Sequence, residues 1–171
     1  MTAETCLVTG GARSGKSAFA LQMAASAARP FFIATGWAGD AEMLARIEKH
    51  RAERGPHWTT IEAKTHAAEA VGEAVDRGAD FIVFDCLTLW VSNILFSEKE
   101  NFALRLNALT SLIPGLTVPA VFVTNETGMG IVPGDAVSRE FRDMAGAANK
   151  AVAEAVSSVY VTFCGIPLKL K

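Results

Sequence analysis

Gly10, Gly15, Lys16 and Ser17 stand at the spacing G-x-x-x-x-G-K-S inside "LVTGGARSGKSAFALQMA", between an apolar run and a stretch with helical character. That spacing suits a loop that cradles a polyphosphate. Glycines let backbone N–H groups turn inward, the following helix adds its N-terminal dipole, the lysine neutralises β/γ charge, and the serine hydroxyl reaches a magnesium ion. The whole stretch Gly10, Gly11, Ala12, Arg13, Ser14, Gly15, Lys16 and Ser17 is therefore a candidate nucleotide-binding loop, with Arg13 either on a phosphate or in solvent. A glycine turn that merely starts a helix does not call for lysine and serine at those positions.

A second carboxylate is expected at the end of a neighbouring strand to help hold the metal, and "FIVFD" places Asp85 there. The plainer role is an aspartate capping the next turn. His50 lies on "DAEMLARIEKHRAER", on one helical face with Met43 and Ile47. It reads either as a packing histidine or as a nucleophile toward phosphorus, with Arg46, Lys49, Arg51 or Arg54 to hold anionic oxygens. Spacing alone leaves both open. His57 and His66 read as surface residues. No Asn-Lys-x-Asp guanine-reading motif occurs, which argues against a signalling GTPase.

These residues need a scaffold. The runs "TCLVTG", "FFIAT", "FIVFD", "AVFVTN" and "SVYVTFCG" are apolar on both faces, as strands covered on both sides are. Between them lie helix-length segments, Lys16–Ala28, Asp40–Arg54, His66–Arg77, a long stretch around Leu87–Leu112, and Arg139–Val156. Their alternation implies an α/β fold with a mostly parallel sheet. "IPLKLK" is expected to form an edge strand whose lysines discourage further pairing. "GPHWTT" and "GMGIVPGD" are expected to be loops, the second able to cover a ligand.

With 171 residues, half of them hydrophobic, 20% charged and a net charge of −2, the chain fits one globular domain over residues 1–171. It lacks the basic patch of a nucleic-acid binder. Neither a secretory signal nor a span long enough for a bilayer is recognised, so a cytoplasmic protein is expected. Cys6, Cys86 and Cys164 lack metal-type spacing and read as free, buried thiols.

The chain resembles the bifunctional adenosylcobinamide kinase / adenosylcobinamide-phosphate guanylyltransferase family from Leu7 to about Lys171. The likeness rests on "VTGGARSGKS", "EMLARIEKHR", "HWTTIEA", "VTNETGMGIVP" and "REFRDMAGAANKAVA". It implies a RecA-like P-loop NTPase fold with helices on both faces of the sheet. It implies two reactions, phosphorylation of adenosylcobinamide by ATP or GTP, then transfer of GMP from GTP through a histidine to give adenosylcobinamide-GDP. The family's GMP-accepting histidine falls on His50, with Lys16 as its catalytic companion, and Mg2+ would be held by Ser17 and Asp85. Nucleotide contacts are further implied at Ala34, Thr35, Gly36, Arg51, Ala52, Glu53, Arg54, Glu62 and Asp85, and Asn125 to Gly130 are candidates for lining the site. Where some relatives have two adjacent histidines, Lys49 precedes His50. A homo-oligomer, such as a trimer, is implied, and Trp37, Trp58, Trp90 and Phe96 are candidates for its interface, for the corrinoid or for the core. Two narrower readings remain beside this one: a plain small-molecule kinase with a structural His50, and a nucleotide-sensing binding module.

Overall fold

The computed structural model describes residues 3–36, 51 and 54–171. Its strands are β1 (Thr5–Gly10), β2 (Pro30–Ala34), β3 (Thr59–Glu62), β4 (Phe81–Asp85), β5 (Ala120–Val123), β6 (Ser158–Phe163) and β7 (Ile166–Lys169). They form one sheet in the order β3-β2-β4-β5-β1-β6-β7, with only the β6–β7 pair antiparallel among the described residues. The mostly parallel sheet is thus as the alternation implied. Because the central strands point the same way, β1, β2, β4 and β5 deliver their carboxyl ends to one edge, where ligands bind in open α/β sheets.

Strand side chains alternate between two cores. Leu7, Phe31, Ile33, Ile82, Phe84 and Phe122 face one side, and Cys6, Val8, Phe32, Val83, Val121 and Val123 face the other. On the second side, Ala20 of α1 (Lys16–Met23) packs against the sheet. On the first lie α2 (Ala67–Asp76), α3 (Leu87–Ser97), α4 (Phe102–Leu112) and α5 (Ala136–Ala155). The α2 stripe of Ala67, Ala70, Val71 and Ala74 is buried at helical spacing, and its small residues allow close approach. Trp90 of α3 is fully buried and its indole N–H donates to the Thr65 carbonyl at 2.7 Å, so it is a core residue.

Several sequence expectations need correction. The stretch Leu87–Leu112 is two helices, because Glu98 adopts φ −155°, outside the helical region. Asn101 and Arg105 bond the Glu98 carboxyl there, and Thr65, Asn101 and Arg105 lower its pKa to about 2. The first helix stops at Met23 rather than Ala28, since the Asp80 carboxylate accepts from the N–H groups of Ala28 and Arg29 and turns the chain into β2. Thr59 and Thr60 belong to a strand, where pairing with Phe31 and Phe32 overrides the loop reading. The last helix begins three residues early, at Ala136, with the Asp135 carboxylate capping the Ser138 N–H at 2.8 Å. Cys164 is exposed, in the β6–β7 turn. Of the helix expected over Asp40–Arg54, only Arg51 and Arg54 are among the described residues.

Candidate nucleotide site

Gly10 closes β1 at φ +151°, beside β6 in the sheet. A Cβ there would lie 2.6 Å from the Thr162 carbonyl oxygen and 2.7 Å from Ser14 Oγ, so only glycine fits. The chain then rises through Arg13, exposed and at φ +54°, to Gly15 at φ +96°, the N-cap of α1. Such a left-handed cap favours glycine. The outer flank of the loop rests on the β6–β7 hairpin, where Ser14 Oγ and Thr162 Oγ1 are 2.8 Å apart and the Gly165 N–H donates to the Ser14 carbonyl at 3.0 Å. Gly10→Ala is therefore expected to displace the loop, costing about 1–3 kcal/mol of stability together with nucleotide affinity. Chemical denaturation and nucleotide titration measure the two losses.

Below the loop opens a cavity of about 300 Å³. Ala12, Arg13, Lys16 and Ser17 wall one side, Phe32, Ala34, Gly36 and Arg54 another, and Asp85, Cys86, Leu89, Val123 and Asn125 the remainder. Lys16 is buried, and its Nζ donates to the Gly11 carbonyl at 2.6 Å. Ser17 Oγ donates to Asp85 Oδ2 at 2.8 Å, joining the first turn of α1 to the end of β4. Hydroxyl and carboxylate are hard oxygen donors, the set that Mg2+ prefers. Among the described residues no group of three or more His, Cys, Asp or Glu side chains makes a metal site by itself.

Arg54 lines this cavity with its guanidinium carbon 3.6 Å from the centre of the Phe32 ring, a cation–π stack. Its buried Nε has no hydrogen-bond partner among the described residues. Burial lowers the pKa of this guanidinium, opposed by the charge of Asp85 and reinforced by Arg51. An arginine nonetheless stays charged in a protein. A cation on the cavity wall suits an anionic ligand.

Thr35, also buried, fastens the end of β2 to that of β4. Its hydroxyl donates to the Cys86 carbonyl at 2.8 Å and its N–H to the Asp85 carbonyl at 3.3 Å. Asn93 of α3 donates to the carbonyls of Thr35 and Lys64, each at 2.9 Å. Arg51 is exposed, and Glu62 is exposed at the end of β3 opposite Ala34, not among the cavity-lining residues. Beyond Asn125, Glu126 folds back so that its carboxylate accepts the Gly128 N–H at 2.7 Å, while Met129 and Gly130 are exposed. Trp58 packs edge-on against Phe32, and Phe96 is exposed. His57 and His66 are surface residues. His50, Ala52, Glu53 and Trp37 lie outside the described residues.

Sequence reasoning missed Phe32, Leu89 and Val123 on the cavity wall, and Thr162 and Gly165 against the loop. Thr162 carried one signal, a polar residue in an apolar run; the others read as ordinary core. Cys86 also reaches the cavity, yet burial pushes its thiol up to about 12, and burial raises Cys6 to about 11. Both raised values keep the neutral thiol dominant at pH 8, so neither is a nucleophile there. Iodoacetamide at pH 8 is expected to alkylate Cys164 alone in the folded protein, as read by mass spectrometry of intact chains and peptides.

Comparison with known proteins bears on this geometry. Residues 6–170 match the family described as cobinamide kinase / cobinamide phosphate guanyltransferase. The bifunctional adenosylcobalamin biosynthesis protein CobP of Pseudomonas aeruginosa is 40% identical over 167 residues, covering 96% of each chain. The corresponding CobU proteins of Escherichia coli and Salmonella typhimurium are 37% and 38% identical, over 96% of this chain and 98% of theirs. Among solved structures, a KaiC-like protein from Pyrococcus horikoshii superposes with TM-score 0.52 at 18% identity, covering 92% of this chain and 70% of the other. The P4 protein of bacteriophage phi6, in complex with ADP, gives 0.50 at 16%, covering 96% and 52%. These two likenesses speak to the fold alone. With its phosphate loop, its strand-end aspartate and this match from end to end, the chain belongs to the cobinamide kinase / cobinamide phosphate guanyltransferase family.

Proposed function

We propose that this chain, as one domain over residues 1–171, phosphorylates adenosylcobinamide and then converts the product to adenosylcobinamide-GDP, acting in the cytoplasm as a homo-oligomer. The observation that carries this reading is that Lys16, the Ser17–Asp85 pair and Arg54 line one and the same cavity. The residues Gly10 to Ser17, with Ala34, Thr35, Gly36, Arg51 to Arg54 and Asp85, form the nucleotide site, and Glu62, outside the cavity wall, reaches the nucleotide from the end of β3.

In the first reaction the corrinoid hydroxyl oxygen attacks the γ-phosphorus of ATP or GTP. The bond from that phosphorus to the β–γ bridging oxygen breaks, a nucleoside diphosphate leaves, and the hydroxyl proton is released. Loop N–H groups and Lys16 hold the charge that gathers on the leaving oxygens. Held by Ser17 and Asp85, Mg2+ supplies charge neutralisation on the phosphates when bound. In the second reaction a neutral His50 nitrogen attacks the α-phosphorus of GTP and pyrophosphate leaves from the same cradle. A phosphate oxygen of the corrinoid then attacks the GMP phosphorus, the P–N bond breaks, and His50 is restored. Covalent capture divides one difficult transfer into two displacements. Capture requires the imidazole to be neutral, so its rate falls as pH drops through the range in which histidine protonates.

The test supplies γ-labelled nucleotide and adenosylcobinamide, then unlabelled GTP, and follows the corrinoid by chromatography. Label is expected first in a corrinoid monophosphate and then in its GDP derivative. Label released only as inorganic phosphate contradicts the proposal.

A further inference from the structure

The carboxyl end of β5 is held by polar groups that the chemistry above does not use. Thr124 is buried, and its Oγ1 donates to Asn149 Oδ1 of α5 at 2.6 Å. That spends its one proton, so in the 3.2 Å contact between Thr88 and Thr124 the Thr88 hydroxyl is the donor. Thr88 Oγ1 in turn accepts the Asn125 N–H at 2.7 Å, and Asn149 Nδ2 donates to the Asn125 carbonyl at 3.2 Å. The four bonds close a circuit with one consistent direction, which fixes the orientation of the Asn149 amide. Both backbone polar groups of Asn125 are thereby tied, one to α3 and one to α5.

What this circuit holds in place is the wall of the cavity. Asn125 lines it, and its side-chain amide has no hydrogen-bond partner among the described residues. β5 lies between β1, which feeds the phosphate loop, and β4, which carries Asp85. The next residue, Glu126, donates its N–H to the Gly10 carbonyl at 3.1 Å, so this backbone is also joined to the start of the loop. A neutral amide between the loop and the metal-binding carboxylate can donate to a phosphoryl oxygen without adding charge. Its value depends on placement, since a donor contributes to catalysis when it is fixed before charge develops.

We propose that Asn125 is a catalytic residue that donates to the transferring phosphoryl group, and that Thr88 and Asn149 are positioning residues acting through its backbone. This rests on the phosphoryl-transfer reading above. Steady-state phosphorylation of adenosylcobinamide tests it in the full-length protein. Asn125→Ala is expected to lower kcat roughly 10- to 100-fold with nucleotide KM within about twofold. Thr88→Val and Asn149→Asp each lower it by a smaller factor, and Thr88→Ser, which keeps the hydroxyl, restores it to within about twofold. The double variant Asn125→Ala/Thr88→Val is no slower than Asn125→Ala, because Thr88 acts through Asn125. Unchanged kcat in Asn125→Ala overturns the proposal, and that variant alters a half-exposed side chain outside the hydrogen-bonded circuit, so it folds even if Thr88→Val does not. A Thr88→Val loss that persists in full on the Asn125→Ala background overturns the positioning role. A wild-type protein that phosphorylates no corrinoid sinks the functional reading and this one together, whereas an active wild type with an indifferent Asn125 sinks this one alone.

Discussion

Lys16→Ala is expected to silence both reactions at once, lowering phosphorylation of the corrinoid and capture of GMP each by at least ~10²–10³-fold. The two chemistries break different bonds, one at the γ-phosphorus and one at the α-phosphorus, yet each leaves negative charge on oxygens held by the same loop. Lys16 is buried with its Nζ against the Gly11 carbonyl, so its charge acts where water screens it little. Lys16→Arg does not restore activity, because a planar fork cannot replace a compact ammonium beneath a tight turn. Thermal unfolding of Lys16→Ala stays close to wild type, since the substitution removes a buried charge and leaves the apolar cores intact. Parallel assays of the two half-reactions check this, and loss of one reaction without the other contradicts a shared cradle.

His50→Ala separates what Lys16→Ala joins. Without the imidazole no phosphoramidate forms, and GMP capture drops to background, on the order of 10³-fold or more as for other removed nucleophiles. Phosphorylation of adenosylcobinamide continues, because the γ-phosphorus is attacked by the corrinoid hydroxyl and not by the protein. Incubation with α-labelled GTP and Mg2+, denaturation, and counting of base-stable, acid-labile label reads the first effect. Loss of both reactions in this variant indicates a packing histidine instead.

How much of this was legible in the sequence depends on whether the chemistry is local. The phosphate loop is contiguous, so Gly10 to Ser17 could be read directly. Asp85 was legible because a parallel strand covered on both faces ends visibly at its first charged residue. Arg54 over Phe32 was not, since the two are brought together by the fold rather than by spacing. The hairpin turn at Cys164–Gly165 comes nearly at the end of the chain and meets Ser14 near its beginning, a contact that no local pattern encodes. Asn149 left a fainter trace, an amide beside the apolar stripe of Ala145, Ala148 and Val152. The break at Glu98 escaped periodicity because apolar residues recur on both sides of it. The bond from Arg105 of the next helix, not local propensity, decides it.

The central claim is that one phosphate cradle serves a direct transfer and a covalent one, with His50 as the covalent carrier. Peptide mapping of the wild-type protein after incubation with GTP and Mg2+ tests it most directly. A GMP adduct located by mass spectrometry on His50, and discharged when adenosylcobinamide phosphate is added, is the predicted result. An adduct on any other residue, or none in a protein that still makes adenosylcobinamide-GDP, contradicts it.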